Sequence, residues 1–226
     1  MRRDFSPPPK KTRKPLFIGA GIIVIAIVWS TQAIFRNDMS NESITTIVQK
    51  ATQPPFPDIQ TKALSSTQRS ILTIVQQEYD KIPRDFDSTV MKYTENTKES
   101  WCADFISWTF SKAGAPFTNP NSGYWRIPGV LTLQQYYRDN SAYIKASNSD
   151  TNTYTPQLGD VAFYIGAQTP DNTSEEHAAI ILKVDGDVIT TIGGNEGSGI
   201  MHIRSESLQA HFDKGLVGFG QLKNRP

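Results

Sequence analysis

A chain of 226 residues with 38% hydrophobic and 10% aromatic side chains can bury the core of one ordinary domain, which excludes a wholly disordered protein. Its net charge of +1 conceals an asymmetry: residues 1–14 hold six of the 23 Lys/Arg and one of the 22 Asp/Glu, which leaves 17 basic and 21 acidic residues, net −4, in the rest. A mildly acidic body lacks the basic face that a nucleic-acid partner requires, so that class is set aside.

The basic tail, 1–14, runs into a stretch without charge, 15–35, in which Leu16 to Trp29 is almost unbroken Ile, Val, Leu, Phe, Gly and Ala. At ~1.5 Å per residue such a helix reaches about the ~30 Å of a bilayer core. The segment reads as a single transmembrane helix, with Trp29 and Phe35 at the outer interface. Arg2, Arg3, Lys10, Lys11, Arg13 and Lys14 hold the N-terminus inside, so the C-terminal body is expected at the cell membrane's outer, extracytoplasmic side. A cleaved signal peptide is the rival reading, because Thr31-Gln32-Ala33 loosely resembles a small-residue cleavage site. Either way the body is exported.

Residues 36–66 are polar, carry Pro54, Pro55 and Pro57, and read as a linker with at most one short helix near Ile44–Val48. The folded domain is placed at 67–226. Its first helix is expected over Ile71 to Tyr79, ending before Pro83, and a polar stretch, Arg84 to Glu99, follows. Trp101 to Ala113 is apolar on most of its surface and is stopped by Gly114 and Pro116, so it predicts a buried helix with Ser100 as N-cap. A third helix is expected over Val130 to Tyr137.

After Pro156 the texture changes to short β-rich runs broken by Gly and Asp: Val161–Ile165, Ala178–Val184, Val188–Ile192, Ile200–Arg204 and Leu216–Leu222. Asp185-Gly186 is a two-residue hairpin signal between the second and third runs. Helices first and antiparallel strands second give an α+β domain, with helices on one face of a curved sheet.

Cys102 is the sole cysteine, so no internal disulfide is possible. It stands in the first turn of the second helix, where unpaired N–H groups and the positive dipole end favour a thiolate. A small buried core residue is the alternative reading. A thiolate nucleophile needs a base, and of the three histidines His177 has the suitable setting, at the start of the buried run Ala178-Ala179-Ile180-Ile181-Leu182. His202 lies in an alternating strand and His211 in an expected surface loop. The imidazole needs an orienting acceptor, for which Asn195 after Gly193-Gly194 is the candidate, with Glu196 beside it. Asp104 lies about 200° round the helix from Cys102 and is read as structural, as is Leu158-Gly159-Asp160, the turn that opens a core strand. Tyr124, Trp125 and Tyr136 are either groove or core aromatics. Three scattered His and one Cys show no ligand spacing, so no metal or other cofactor is implied.

Four segments in order carry a resemblance: Trp101-Cys102-Ala103-Asp104-Phe105-Ile106-Ser107-Trp108 with Ala113-Gly114, Leu158-Gly159-Asp160-Val161-Ala162-Phe163, His177-Ala178-Ala179-Ile180-Ile181, and Ile192-Gly193-Gly194-Asn195. Together they resemble the CHAP family of cysteine- and histidine-dependent amidohydrolases/peptidases, which have a papain-like fold and cut bacterial cell-wall peptides. The resemblance implies Cys102 as nucleophile, His177 as base and Asn195 as orienting residue. It implies hydrolysis of a peptidoglycan amide, either between muramic acid and L-alanine or within the peptide. In many members a Glu stands two positions before this Asn; here that position is Gly193. The alternative function is a catalytically idle module of the same fold that binds wall peptide or a partner protein.

Strand parity opposes the Asn195 assignment. If Asp185-Gly186 forms the two-residue turn, Val184 faces Asp187, His177 falls opposite Gly194, and Asn195 points to the other face of the sheet. A triad therefore requires an irregularity that shifts the count by one, either a three-residue turn or a β-bulge between His177 and Asn195, for which Gly193-Gly194 is the expected place. It would bring the Asn195 side-chain oxygen within reach of His177.

Overall fold

The structure, a computed structural model, describes residues 53–83, 85–147, 154–168, 174–197 and 199–223. The expected basic tail, the transmembrane segment 15–35 and the short helix near Ile44–Val48 lie outside the described residues. Among the described residues no helix is long and apolar enough to cross a membrane.

The part of the expected linker that is described packs on the domain. Phe56 and Ile59 lie against the core, and the Tyr79 hydroxyl donates to the Pro54 carbonyl at 2.6 Å. Helix α1, Ser66–Tyr79, starts at a capping box in which the Ser65 hydroxyl accepts from the Gln68 amide and the Gln68 side chain accepts from the Ser65 amide. Ile71, Leu72, Val75 and Tyr79 recur at helical spacing and are buried. A single turn, α2, Ser88–Met91, lies in the polar stretch where no helix was expected; the Asp87 carboxylate caps it by accepting from the Thr89 and Val90 amides. Then come α3, Cys102–Lys112, and α4, Val130–Asp139, two residues longer than its apolar pattern suggests.

Six strands form one antiparallel sheet in the order β1-β6-β2-β3-β4-β5: β1 Tyr143–Lys145, β2 Val161–Gln168, β3 Ser174–Asp185, β4 Val188–Glu196, β5 Ile200–Ser207 and β6 Leu216–Gly220. The α+β expectation stands, with one three-residue strand, β1, too short to leave a pattern. Alternation divides the strands between two cores. Val161, Phe163, Ala178, Ile180, Leu182 and Ile192 face the helices with Ile71, Trp101, Phe105, Ile106 and Leu133. Ala162, Tyr164, Ala179, Ile181, Ile189 and Phe219 form the second core. Helix α5, Leu208–Asp213, packs Leu208 and Phe212 against that second core, so the sheet is not helix-covered on one face alone. This corrects the expected surface loop at His211. Its imidazole is buried, 2.8 Å from the Tyr164 hydroxyl through Nδ1 and 3.1 Å from the Ile189 carbonyl through Nε2, and burial pulls its pKa below the ordinary 6.5.

The opening of β2 is held as the sequence suggests. Gly159 has φ +90 and no room for a side chain, since a Cβ would lie 2.7 Å from Leu222 Cδ2. Buried Asp160 accepts from the Leu222 and Gln157 amides, each at 2.8 Å, and from the Tyr154 hydroxyl at 2.5 Å. It ties three chain segments together.

Candidate active site

Cys102 is the first residue of α3 and is 4% exposed. The cap is Trp101, not Ser100: Trp101 has non-helical φ −114, ψ 14 and provides no side-chain cap, so the amides of the first turn keep their hydrogen-bonding capacity. A hydroxyl cap would have consumed one of the amides that can serve an anion. The Trp101 indole is wholly buried, donates from Nε1 to Asp85 Oδ1 at 2.7 Å and stacks on Tyr93 at 5.8 Å. On its other side it meets bare backbone, because a Cβ on Gly194 would lie 2.3 Å from Trp101 Cζ3. Trp101 thereby locks the start of α3 against β4.

His177 lies directly opposite Tyr164 in the β2–β3 ladder, the two rings 6.0 Å apart. The parity argument is answered by two irregularities. The hairpin closes on Asp185↔Val188, so its turn residues are Gly186 and Asp187, one position later than expected. Leu182 then bulges: Lys183 pairs with Thr190 but Ile181 pairs with Thr191, and the count has moved by one. On that register a regular β4 would carry Asn195 to His177. It does not run on, because Asn195 adopts left-handed φ +58 and the β4–β5 pairing jumps from Gly193↔His202 to Glu196↔Ile200.

This further break, at Asn195, brings a different side chain to His177. Among the described hydrogen bonds none joins Asn195 to His177; the contact is made by Glu196, whose Oε1 is 3.4 Å from His177 Nε2. Glu196 is 6% exposed and its Oε2 accepts from Arg204 Nε. Gly193 provides the room. A Cβ there would lie 2.5 Å from Glu196 Oε1 and 2.8 Å from His177 Nε2, so the carboxylate occupies the space a side chain at 193 would fill. The carboxylate comes from three residues further along the chain, past left-handed Asn195. Asn195 lines the adjoining cavity instead.

Electrostatics couple these groups. Burial pulls the His177 pKa down, but the interaction with Cys102 and the negative charge of nearby Glu196 outweigh it and raise the imidazole from 6.5 to about 9. Burial likewise pushes Glu196 up, and His177 and Arg204 overcome it, so its carboxyl titrates below the ordinary 4.5. An imidazolium and a carboxylate therefore coexist at neutral pH. Beside them opens a cavity of about 920 Å³ lined by Ser100, Tyr164, His177, Asn195, Glu196 and Arg204 among others. Its size suits a short peptide.

The remaining sequence candidates lie elsewhere. Asp104 is wholly buried, accepts from Arg126 Nε at 2.7 Å, and is raised to about 7 by burial and then by Glu95. Arg126 also pairs with Glu99, so Asp104 anchors the loop before α4, in keeping with a structural role. Tyr136 is a core residue against Phe117 at 5.0 Å, whereas Tyr124 is 51% exposed and stands beside Trp125 at 5.5 Å; none of the three lines the cavity. Sequence reasoning missed Arg204 and Tyr164 as neighbours of the site. The available signal was alternation: Arg204 pairs with Thr191, and Tyr164 with His177, on strands already predicted.

A family model described as CHAP domain matches residues 93–195, which takes in all four segments quoted above and stops one residue before Glu196. No curated protein compared with the chain matches it. The uncapped helix start at Cys102, the strand histidine and the Gly-Gly-Asn segment all lie within the span over which this chain is similar to the CHAP domain.

Proposed function

We propose that the domain hydrolyses an amide bond of peptidoglycan, as an N-acetylmuramoyl-L-alanine amidase or a wall-peptide endopeptidase, by thiol chemistry with Cys102, His177 and Glu196. The observation that carries the reading is the His177 imidazole, raised to about 9 between Cys102 and the buried Glu196 carboxylate. An imidazolium at neutral pH holds the proton that Cys102 gives up and stands ready to donate it.

The Cys102 sulfur attacks the amide carbonyl carbon, and the oxyanion faces the uncapped amides at the start of α3. The C–N bond then breaks, His177 gives its proton to the departing amine, and the acyl group stays on sulfur as a thioester. Neutral His177 next takes a proton from water. The hydroxide adds to the thioester carbonyl, the C–S bond breaks, and the carboxylic acid product leaves Cys102 free. Glu196 keeps the imidazole oriented through both halves and stabilises its cationic form.

The full chain incubated with purified cell walls should release fragments whose masses identify the cut amide, and Cys102→Ser should abolish release while the far-UV circular dichroism is unchanged. Unaltered release by Cys102→Ser would overturn the mechanism. Slow alkylation of Cys102 by iodoacetamide, with no release by wild type, would leave the idle wall-binding module.

The basic tail and uncharged segment 15–35 support, as part of the proposal, a single-pass anchor that puts the domain on the wall side of the membrane. A reporter enzyme fused after Pro226 should be active outside the cytoplasm; activity inside would refute this placement.

A further inference from the structure

We propose that Arg204 is a positioning residue: by holding Glu196 Oε2 it fixes the other carboxylate oxygen on His177 and so sets the pH range in which Cys102 is reactive. The proposal rests on the Cys102–His177–Glu196 reading. Arg204 lies on β5 opposite Thr191, two positions along the strand from His202, which is opposite Gly193. Its Nε therefore meets the Glu196 carboxylate just where that carboxylate crosses the bare Gly193 backbone.

Glu196 needs such a hold because of how it arrives. Glu196 follows a left-handed Asn195 and is followed by Gly197 at φ +51. Its contact with His177, at 3.4 Å, is longer than a good charge-assisted hydrogen bond and satisfies no hydrogen-bond geometry, so it does not by itself fix the carboxylate. The bond from Arg204 engages Oε2 and leaves Oε1 for the imidazole. Arg204 is also 37% exposed, so the cavity-lining guanidinium holds Glu196 from the solvent side while Gly193 floors it from below.

The groups that face Glu196 are His177 from β3, Arg204 from β5 and Tyr164 from β2, and Lys214, paired with Glu206, lines the same cavity. Removal of Arg204 takes away one of the two cations that keep Glu196 ionised in spite of its burial. The carboxyl then protonates at higher pH, and a protonated Glu196 no longer supports the imidazolium.

The test is the rate of iodoacetamide alkylation of Cys102 in the full chain, measured from pH 4 to 9 for wild type, Arg204→Gln, Arg204→Lys, Glu196→Gln and the Arg204→Gln/Glu196→Gln double variant. Arg204→Gln should move the acid limb of the profile upward by about one pH unit and slow alkylation several-fold at pH 6, and Arg204→Lys should recover most of the loss. In the Glu196→Gln background the Arg204 change should have less than about a twofold effect, since the residue acts through Glu196. An acid limb that stays in place in Arg204→Gln, or an undiminished Arg204 effect without Glu196, would overturn the proposal. Thermal melts exclude a folding loss as the cause. Because alkylation requires no wall substrate, the result stands apart from the wall assay: a normal Arg204 effect without wall hydrolysis would overturn the substrate reading and leave this one standing.

Discussion

At the scale of single residues, the proposal turns on Glu196 rather than Asn195 as the group that orients His177. The two are neighbours in sequence, but a left-handed residue between Gly194 and Glu196 turns one towards the cavity and the other onto the imidazole. Glu196→Gln keeps the shape and removes the charge that favours imidazolium, so it should lower kcat about 10- to 100-fold with KM little changed. Asn195→Ala, by contrast, should change kcat less than about threefold. Steady-state kinetics on a defined wall peptide separates the two, and the reverse order would return the orienting role to Asn195.

At the scale of elements, the site depends on how closely α3 approaches β4. Trp101 presses its ring on Gly194 and anchors its indole nitrogen on Asp85, which fixes the helix start, and with it Cys102, against the strand that carries Glu196. Gly194→Ala puts a methyl group 2.3 Å from the Trp101 ring, inside van der Waals contact with a buried indole that has no room to retreat. The expected cost is about 1–3 kcal/mol in urea denaturation, together with slower Cys102 alkylation because the helix start is displaced. A variant as stable and as reactive as wild type would show that the contact is unimportant.

At the scale of the whole molecule, the coupled groups make stability depend on pH. His177, raised from 6.5 to about 9, binds a proton more tightly in the folded state, so its contribution is complete below about pH 6.5 and is lost as pH rises through about 9. Glu196, lowered from 4.5, contributes above that value and loses its contribution as pH falls through the lower folded value. The pair therefore stabilises most between about pH 4.5 and 6.5. The His177 share is on the order of 3 kcal/mol at its largest. Thermal melts of wild type and His177→Ala should differ most in that window and converge above about pH 9; a constant gap across the range would sink the assignment of the raised imidazole.

Much of this was legible in the sequence because it rests on local chemistry and period. The apolar run after Ser100, stopped by Gly114, specified α3; alternating runs after Pro156 specified five of six strands; and the lone Cys102 with a strand-opening His177 pointed to thiol chemistry. Even the need for a broken register between His177 and Asn195 followed from counting residues, although the break in the β3–β4 ladder lies at Leu182 and not at the expected Gly193-Gly194. What the sequence left open was where the register breaks, since a bulge at Leu182, a turn at Gly186-Asp187 and left-handed Asn195 are each decided by packing on two cores at once. The burial of His211 has the same origin, because α5 reveals itself only when the second face of the sheet needs a cover. Which of the two neighbours, Asn195 or Glu196, reaches His177 was decided by the tertiary structure: Glu196, Gly193 and Arg204 meet because two strands and a turn bring them to one point, and no spacing along the chain encodes that meeting.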